Sequence, residues 1–240
     1  HIRASVGQPS IRRYVEEGRI VASELRELLL DVAGVPAEAF GAICDLASGP
    51  GKVLTALHVS SPARVAAIDV NAEAVRWLRW RLPGVDARVE DPIPPTSFPA
   101  GSFDLVVSIS LFTHLPEPLQ DRWLAEVRRL LTDDGVGVLT VHGTEAFEGF
   151  RAGRRPGITR EQIDSLHAAG SLEAASFVFA PEVRPARRAP GVDPVWGLSF
   201  HSEDYIRSHW GHFLSVQEIR PAALNFRQDA VVVRRSTAAR

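Results

Sequence analysis

The sequence has 240 residues, of which 45% are hydrophobic and 23% charged, a balance typical of one folded domain with a sizeable core. No apolar run reaches the roughly 20 residues that a membrane-spanning helix needs, and no signal-peptide pattern is present, so we expect a cytoplasmic protein with no membrane partner. Cys44 is the only cysteine, which excludes an internal disulfide, and the net charge of -2 argues against nucleic acid as a partner.

Short apolar runs alternate along the chain with stretches of helical periodicity. A helical stripe over residues 16–33 comes first. The apolar runs predict strands at 42–46, 64–70, 85–89, 103–110 and 136–142. Helices are expected at 52–60, after the capping residue Asn71, and from Leu119 to Leu131, with a stop at Asp133, Asp134 and Gly135. Strands separated by helices predict a parallel, buried sheet.

Residues 143–200 lose this regularity, because glycines and prolines recur there and arginines cluster. The clustered arginines are Arg151, Arg154, Arg155, Arg184, Arg187 and Arg188. The pattern returns with a helix at 202–210 and strands at 213–219 and 230–234. We therefore expect a helical cap at 1–40, a core made of 41–143 and 201–240, and an inserted lid at 144–200 that contacts the substrate.

The strongest chemical signal is a turn between the first predicted strand and the helix that follows it. Gly49 and Gly51 carry no side chain there, so a ligand can approach the backbone beside the free N–H groups of the helix. Asp69 ends the next strand, where a carboxylate can accept two hydrogen bonds from a ribose diol. Glu90 and Asp91 follow the third strand and supply a carboxylate near the place of an adenine edge. Their order and spacing predict an adenosyl site.

With these motifs the chain resembles the class I S-adenosylmethionine-dependent methyltransferases, in particular the bacterial branch that methylates small molecules and polysaccharide components. The matching residues are the loop acid Asp45, the small loop residues Ala47, Gly49 and Gly51, the ribose carboxylate Asp69 and the adenine-side acid Asp91. The family's fourth strand is matched by residues 103–108, and the loop after it by residues 111–115. The helix end and turn before the family's fifth strand resemble residues 129–135. Ala47 stands where the family usually has its first glycine.

The resemblance implies an α/β fold, a Rossmann-like, seven-stranded, mostly parallel sheet with helices on both faces. It also implies an antiparallel last strand and a lid-like insertion between strands 5 and 6. The implied cofactor is S-adenosyl-L-methionine, with S-adenosylhomocysteine as product, and the implied acceptor is a small molecule or carbohydrate. The candidate cofactor-binding residues are Asp45, Ala47, Ser48, Gly49, Gly51, Asp69, Val70, Glu90, Asp91 and Ser108.

A base is needed if the acceptor is a hydroxyl, and His114 is the candidate because it follows the fourth strand at the edge where α/β sheets bind ligands. A structural role in its loop is the open alternative. The candidate substrate contacts are Tyr14, Phe112, His142, Trp196 and His201, although Trp196 could equally anchor the lid. The chain lacks an Asp/Asn-Pro-Pro-Tyr/Phe tetrapeptide after the fourth strand, which favours an oxygen acceptor over adenine or glutamine amides.

The same residues bear on other functions. A dehydrogenase is disfavoured because Leu54 occupies the third glycine position and no tyrosine-x-x-x-lysine pair exists. His201, His209 and His212 lack accompanying carboxylates, so no metal site is predicted. Two alternatives stay open, namely an RNA or protein methyltransferase that docks its substrate on the arginine-rich insertion, and a non-catalytic binding module with a methyltransferase-like fold.

Overall fold

A computed structural model describes residues 11–58, 64–182, 196–225 and 227–236. Three parts of the predictions lie outside these ranges. They are the first ten residues of the expected N-terminal cap, the end of the helix expected at 52–60, and the arginines Arg184, Arg187 and Arg188.

Strands and helices alternate as the sequence predicts. The strands are β1 (Ala42–Leu46), β2 (Arg64–Asp69), β3 (Asp86–Val89), β4 (Phe103–Ser108), β5 (Leu131–Val141), β6 (Phe177–Pro181), β7 (Gly197–His201), β8 (Leu214–Leu224) and β9 (Gln228–Arg235). The helices are α1 (Ile11–Leu28), α2 (Lys52–His58), α3 (Ala72–Arg81), α4 (Glu117–Leu130), α5 (Thr144–Arg151), α6 (Arg160–Ala169), α7 (Leu172–Ala175) and α8 (Glu203–His209). A π-helical turn, Leu29–Ala33, extends α1. Among the described helices, none combines the length and the apolarity that crossing a bilayer requires.

Seven strands form one sheet in the order β3-β2-β1-β4-β5-β9-β8. Strands β1 to β5 pair in parallel, and β9 runs antiparallel to both of its neighbours. The predicted mostly parallel sheet with an antiparallel last strand is therefore confirmed. The strand order reverses between β1 and β4, and ligands of such sheets bind beyond the carboxyl ends of the strands at this point.

The sheet is buried on both faces because its central strands are apolar at successive positions. In β4, Val106 contributes to one core cluster while Leu105 and Val107 contribute to the other. Trp123 of α4 packs in the first cluster and Leu25 of α1 in the second. Helices on both faces thus hold the sheet rigid, which fixes the positions of the loops at its carboxyl edge.

The stop expected at Asp133, Asp134 and Gly135 is wrong. Strand β5 begins at Leu131, directly after α4, and Leu131 pairs with Phe103. The register then shifts before Leu105 pairs with Val136, so the polar residues occupy an irregularity within the strand. A bulge of this kind accommodates extra residues without ending the strand.

The described part of residues 143–200 departs from the alternation of strands and helices, as expected, but it is regularly folded. The segment contains α5, α6 and α7 and a small antiparallel sheet of β6 and β7. Its own buried cluster includes Phe147, Leu166, Leu172 and Phe200. Thr159 and Gln162 cap α6 with reciprocal hydrogen bonds, so local signals do specify part of this insertion.

Candidate active site

The bend after β1 is tied to the end of β2. The backbone N–H of Gly49 donates to Oδ2 of Asp69 over 2.7 Å, and that of Asn71 donates to Oδ1 over 2.8 Å. Ser48 N also donates to the Ile68 carbonyl oxygen, 2.9 Å away. These bonds hold the Asp69 carboxylate at the bend, so the two parts of the predicted adenosyl site lie side by side.

The two loop glycines are needed for different reasons. Gly51 has φ +76°, and a Cβ there would lie 2.4 Å from Cδ1 of Leu78, so the loop packs closely on α3. Gly49 has φ +54° with nothing within 4 Å of its Cβ position, so it faces open space. Ala47 also adopts a left-handed conformation, with φ 55°, at the position where a glycine would be unstrained.

A cavity of about 300 Å³, cavity A, opens beside the bend at the carboxyl ends of β2, β3 and β4. Its polar wall includes three of the candidate residues, Asp69, Glu90 and Asp91, and the candidate Val70 lies beside them. Its apolar wall consists mainly of Ile68, Ala74, Pro92, Ile109, Leu111, Leu115, Leu119 and Trp123. His114 and Trp196 complete it. A largely apolar cavity with a few converging polar groups is typical of a small-ligand site.

A second cavity of about 190 Å³, cavity B, adjoins cavity A. Both cavities are lined by Ala47, Gly49, Pro50, Ile109 and Ser110. Cavity B is more polar, and its further polar lining residues are Tyr14, Asp45, Ser48, Lys52 and Asn225. The loop therefore separates a mainly apolar compartment from one whose wall is about half polar.

The ionisable groups of cavity B are perturbed by their burial. Burial, with a smaller contribution from the Asp69 carboxylate, raises the pKa of Asp45 to about 8. Burial lowers the pKa of Lys52, whereas nearby Glu17 opposes that shift. The buried Tyr14 hydroxyl has no hydrogen-bond partner within the described part of the chain. Such unsatisfied groups in a cavity are expected where a polar ligand binds.

His114 is held in one orientation at the wall of cavity A. Its Nδ1 lies 2.8 Å from the Gly197 carbonyl oxygen, and its ring stacks on Trp196 with centroids 4.3 Å apart. Because a carbonyl only accepts, Nδ1 carries the proton and Nε2 is bare in the neutral ring. Burial lowers the pKa of His114 to about 4, against the opposing Gly197 bond, so the ring is neutral at pH 7.

Several predicted site residues do not line cavity A or cavity B. Phe112 is fully buried against Trp210, and Ser108 is fully buried in β4. His201 is buried and hydrogen-bonded to Gln120, while the His142 ring lies between Phe150 and Phe200. The contacts predicted for Phe112, His142 and His201 with the acceptor, and for Ser108 with the cofactor, therefore stay predictions that the lining of these two cavities does not support. Gly51 shapes the loop by packing on α3, away from both cavities.

Other wall residues carried no distinct sequence signal. Leu119 and Trp123 lie at core spacing on α4, and that spacing indicates packing even though both residues also line cavity A. Ser110 adopts φ 69° at the junction of the cavities, and its Oγ accepts from Asn225 Nδ2 over 2.9 Å. Asn225 follows β8, far along the chain, so only the folded sheet brings it to the site.

Comparisons with known proteins point to methyltransferases. A family profile described as a methyltransferase domain matches residues 43–135. The malonyl-(acyl-carrier protein) O-methyltransferase of Geobacter sulfurreducens is 29% identical over 170 residues, which cover 70% of this chain and 60% of that protein. The chain thus spans less than two thirds of the length of this curated relative.

Solved structures share the fold at low identity. An S-adenosylmethionine-dependent methyltransferase from Clostridium acetobutylicum superposes with a TM-score of 0.62 at 14% identity, covering 98% of this chain and 96% of that chain. The geranyl diphosphate C-methyltransferase of Streptomyces coelicolor A3(2), solved with S-adenosyl-L-homocysteine, gives 0.58 at 14% identity, covering 98% and 89%. At these identities the likeness concerns the fold alone.

Proposed function

Because the chain belongs to the class I S-adenosylmethionine-dependent methyltransferases, we propose that it transfers a methyl group to a hydroxyl of a small molecule or carbohydrate. The observation that carries the proposal is the Gly49–Asp69 hydrogen bond, which joins an open bend and a carboxylate into one wall of cavity A. The name of the Geobacter relative, an O-methyltransferase, supports oxygen as the acceptor atom.

The chemistry of the two cavities fits the parts of S-adenosylmethionine. Cavity A offers Asp69 for a ribose diol and Val70 and Asp91 for an adenine. Cavity B offers the Asp45 carboxyl for a cationic ammonium. For a carboxylate it offers Lys52 and the Tyr14 hydroxyl, which has no hydrogen-bond partner among the described residues. Gly49 leaves open space where the two cavities meet. When bound, the cofactor supplies a methyl group already activated by its positive sulfur.

The protein's remaining tasks are to orient the acceptor, exclude water and receive a proton. Nε2 of His114 is bare and has no hydrogen-bond partner among the described residues, so it can accept a hydrogen bond from an acceptor hydroxyl in cavity A. Its low pKa keeps it ready to accept at neutral pH. It makes a weak base that takes the proton late, as positive charge develops on the acceptor oxygen.

The name of the Geobacter relative, a malonyl-(acyl-carrier protein) O-methyltransferase, makes an acceptor carried on a protein the second candidate. In the described part of the arginine-rich insertion, Arg151 is engaged by Glu148 and by the carbonyl of Gly170. This arginine stabilises the insertion itself.

Calorimetry with S-adenosylhomocysteine tests the cofactor assignment, and absence of binding would contradict it. Transfer of labelled methyl groups to a panel of hydroxylated small molecules, with RNA and peptides in parallel, tests the acceptor class. The His114→Ala variant should bind S-adenosylhomocysteine as the parent does and lose about 10²–10⁴ in turnover. Unchanged turnover would remove His114 from the reaction.

A further inference from the structure

We propose that Gln120 is a positioning residue, which together with His201 fixes the loop of residues 112–115 and so the orientation of His114. The proposal rests on the proposed function, because that function gives the His114 imidazole its role. Gln120 lines neither cavity A nor cavity B, so it acts through the loop and not on a ligand.

The side chain of Gln120 uses both ends of its amide. It lies on α4 with 1% of its surface exposed. Its Nε2 donates to the carbonyl oxygens of Leu115 over 2.7 Å and Phe112 over 3.2 Å. Because carbonyls only accept, this end must be the nitrogen, and the oxygen end faces Nε2 of His201 at 2.8 Å.

This orientation determines the tautomer of His201. The Gln120 oxygen cannot donate, so Nε2 of His201 carries the proton. Burial lowers the pKa of His201 to about 3, so the ring stays a neutral donor at physiological pH. His201 therefore anchors the amide that holds the loop, which is a different role from the substrate contact expected from the sequence.

Strand β7 holds the same loop from the side of the insertion. Gly197 N donates to the His114 carbonyl over 3.1 Å, and Ser199 N to the Thr113 carbonyl over 2.8 Å. Ser199 Oγ donates to the Leu115 carbonyl over 2.5 Å. With the two bonds from Gln120, four consecutive carbonyls from residue 112 to residue 115 are fixed.

The two sets of bonds converge on the His114 ring. Gly197 uses its N–H for the His114 backbone and its carbonyl for the His114 Nδ1, so the ring and its backbone share one anchor. A shift of the loop relative to β7 would break the Nδ1 bond and allow the other tautomer. Gln120 opposes that shift because it ties the loop to α4, a helix of the core.

The test reads the tautomer of His114 directly, by ¹⁵N NMR of histidine-labelled protein, with the His114→Ala spectrum as assignment. The parent should show a single Nδ1–H form, with or without S-adenosylhomocysteine. Gln120→Leu and His201→Leu should give mixed tautomers, whereas His201→Gln, which keeps a donor near the same place, should retain the parent form. Turnover should fall about tenfold in the two leucine variants, with unchanged S-adenosylhomocysteine affinity.

Gln162→Leu is the matched control, because Gln162 is also a buried glutamine whose amide donates to a carbonyl, that of Ala180, away from the His114 loop. It should keep the parent tautomer. A single Nδ1–H form in folded Gln120→Leu and in His201→Leu would overturn the proposal, and if one variant fails to fold the other decides. Failure of S-adenosylhomocysteine to bind would instead contradict the proposed function. The tautomer of His114 could still be measured, because that measurement does not need the ligand.

Discussion

Gly49 donates its backbone N–H to Oδ2 of Asp69 over 2.7 Å, so the bend after β1 and the carboxylate that ends β2 form one unit. Asp69→Ala removes this bond, the bond from Asn71 N and the expected partner of a ribose diol. We expect S-adenosylhomocysteine affinity to fall about 10- to 100-fold, since hydrogen bonds to charged groups contribute about 1.5–3 kcal/mol. Calorimetry measures the affinity, and urea denaturation measures the accompanying loss of stability.

Asp104→Ala is the matched control for this variant. The Asp104 carboxylate also accepts two backbone N–H bonds, from Gly41 and Ala42 at 2.8 Å each, but at the amino end of the sheet. It should lose stability much as Asp69→Ala does and keep its ligand affinity. Equal affinities in the two variants would show that Asp69 serves the fold and not the ligand.

Alanine substitutions of the two loop glycines should affect protein stability and ligand affinity differently. Gly51→Ala places a Cβ 2.4 Å from Leu78 Cδ1 in a left-handed conformation, so we expect a loss of about 1–3 kcal/mol in the free energy of unfolding from overpacking, plus strain. Gly49→Ala meets no atom within 4 Å and should cost only about 1–2 kcal/mol of backbone strain.

For ligand affinity we expect the opposite order, with a larger loss in Gly49→Ala than in Gly51→Ala. The new Cβ of Gly49→Ala occupies space shared by cavities A and B. Urea denaturation and calorimetry on both variants give the comparison. A Gly51→Ala protein as stable as Gly49→Ala, or a Gly49→Ala protein with parent affinity, would contradict this assignment.

The sheet could be predicted because its signal is local. The sequence predicts strand β1 at its observed bounds, since a central parallel strand is apolar on both faces and the turn residues that follow mark its end. The same order of elements predicts that Gly49 and Asp69 lie side by side, and a hydrogen bond joins them. The error at Asp133 has a tertiary cause, because pairing of Leu131 with Phe103 outweighs the local turn preference of the aspartates.

The acceptor side of the site could not be predicted in the same way. His201 and Phe112 lie in loops or strands next to the site in sequence, yet their side chains turn into the core, where His201 meets Gln120. Which way a side chain faces there depends on how β7 docks on the His114 loop. That docking joins residues more than 80 positions apart, such as Gly197 and His114, and no local pattern encodes it.

Ligand affinity should depend on the protonation of Asp45. Burial, with help from Asp69, raises the pKa of Asp45 to about 8, so the carboxyl is mainly protonated at pH 7 without ligand. A cationic ammonium in cavity B favours the carboxylate, so binding should release a proton and S-adenosylmethionine affinity should rise from pH 6.5 to pH 8.5. Asp45→Asn should bind more weakly and lose the dependence. Calorimetry in buffers of different ionisation enthalpy counts the proton, and a pH-independent parent affinity would exclude this coupling.

The buried histidines should make the protein sensitive to acid. Burial lowers the pKa of His114 to about 4 and those of His142 and His201 to about 3, from an ordinary value of 6.5. Between these values the unfolded chain binds more protons than the folded one, so the free energy of unfolding falls as pH drops below about 6.5. Above that pH the three histidines should not make the free energy of unfolding depend on pH.

His142→Phe tests this account at one position. The His142 ring lies 5.2 Å from Phe150 and 5.3 Å from Phe200 by ring centroids, and its buried Nδ1 has no partner in the described ranges, so a phenyl ring suits the site. At pH 7.5 we expect a loss of about 1 kcal/mol, from the bond to the Ser199 backbone. At pH 5 the difference should shrink or change sign, because the variant no longer carries the proton penalty. Urea denaturation at both pH values measures it, with exposed His167→Phe as control, and equal differences at pH 7.5 and 5 would refute the assignment of the acid sensitivity to His142.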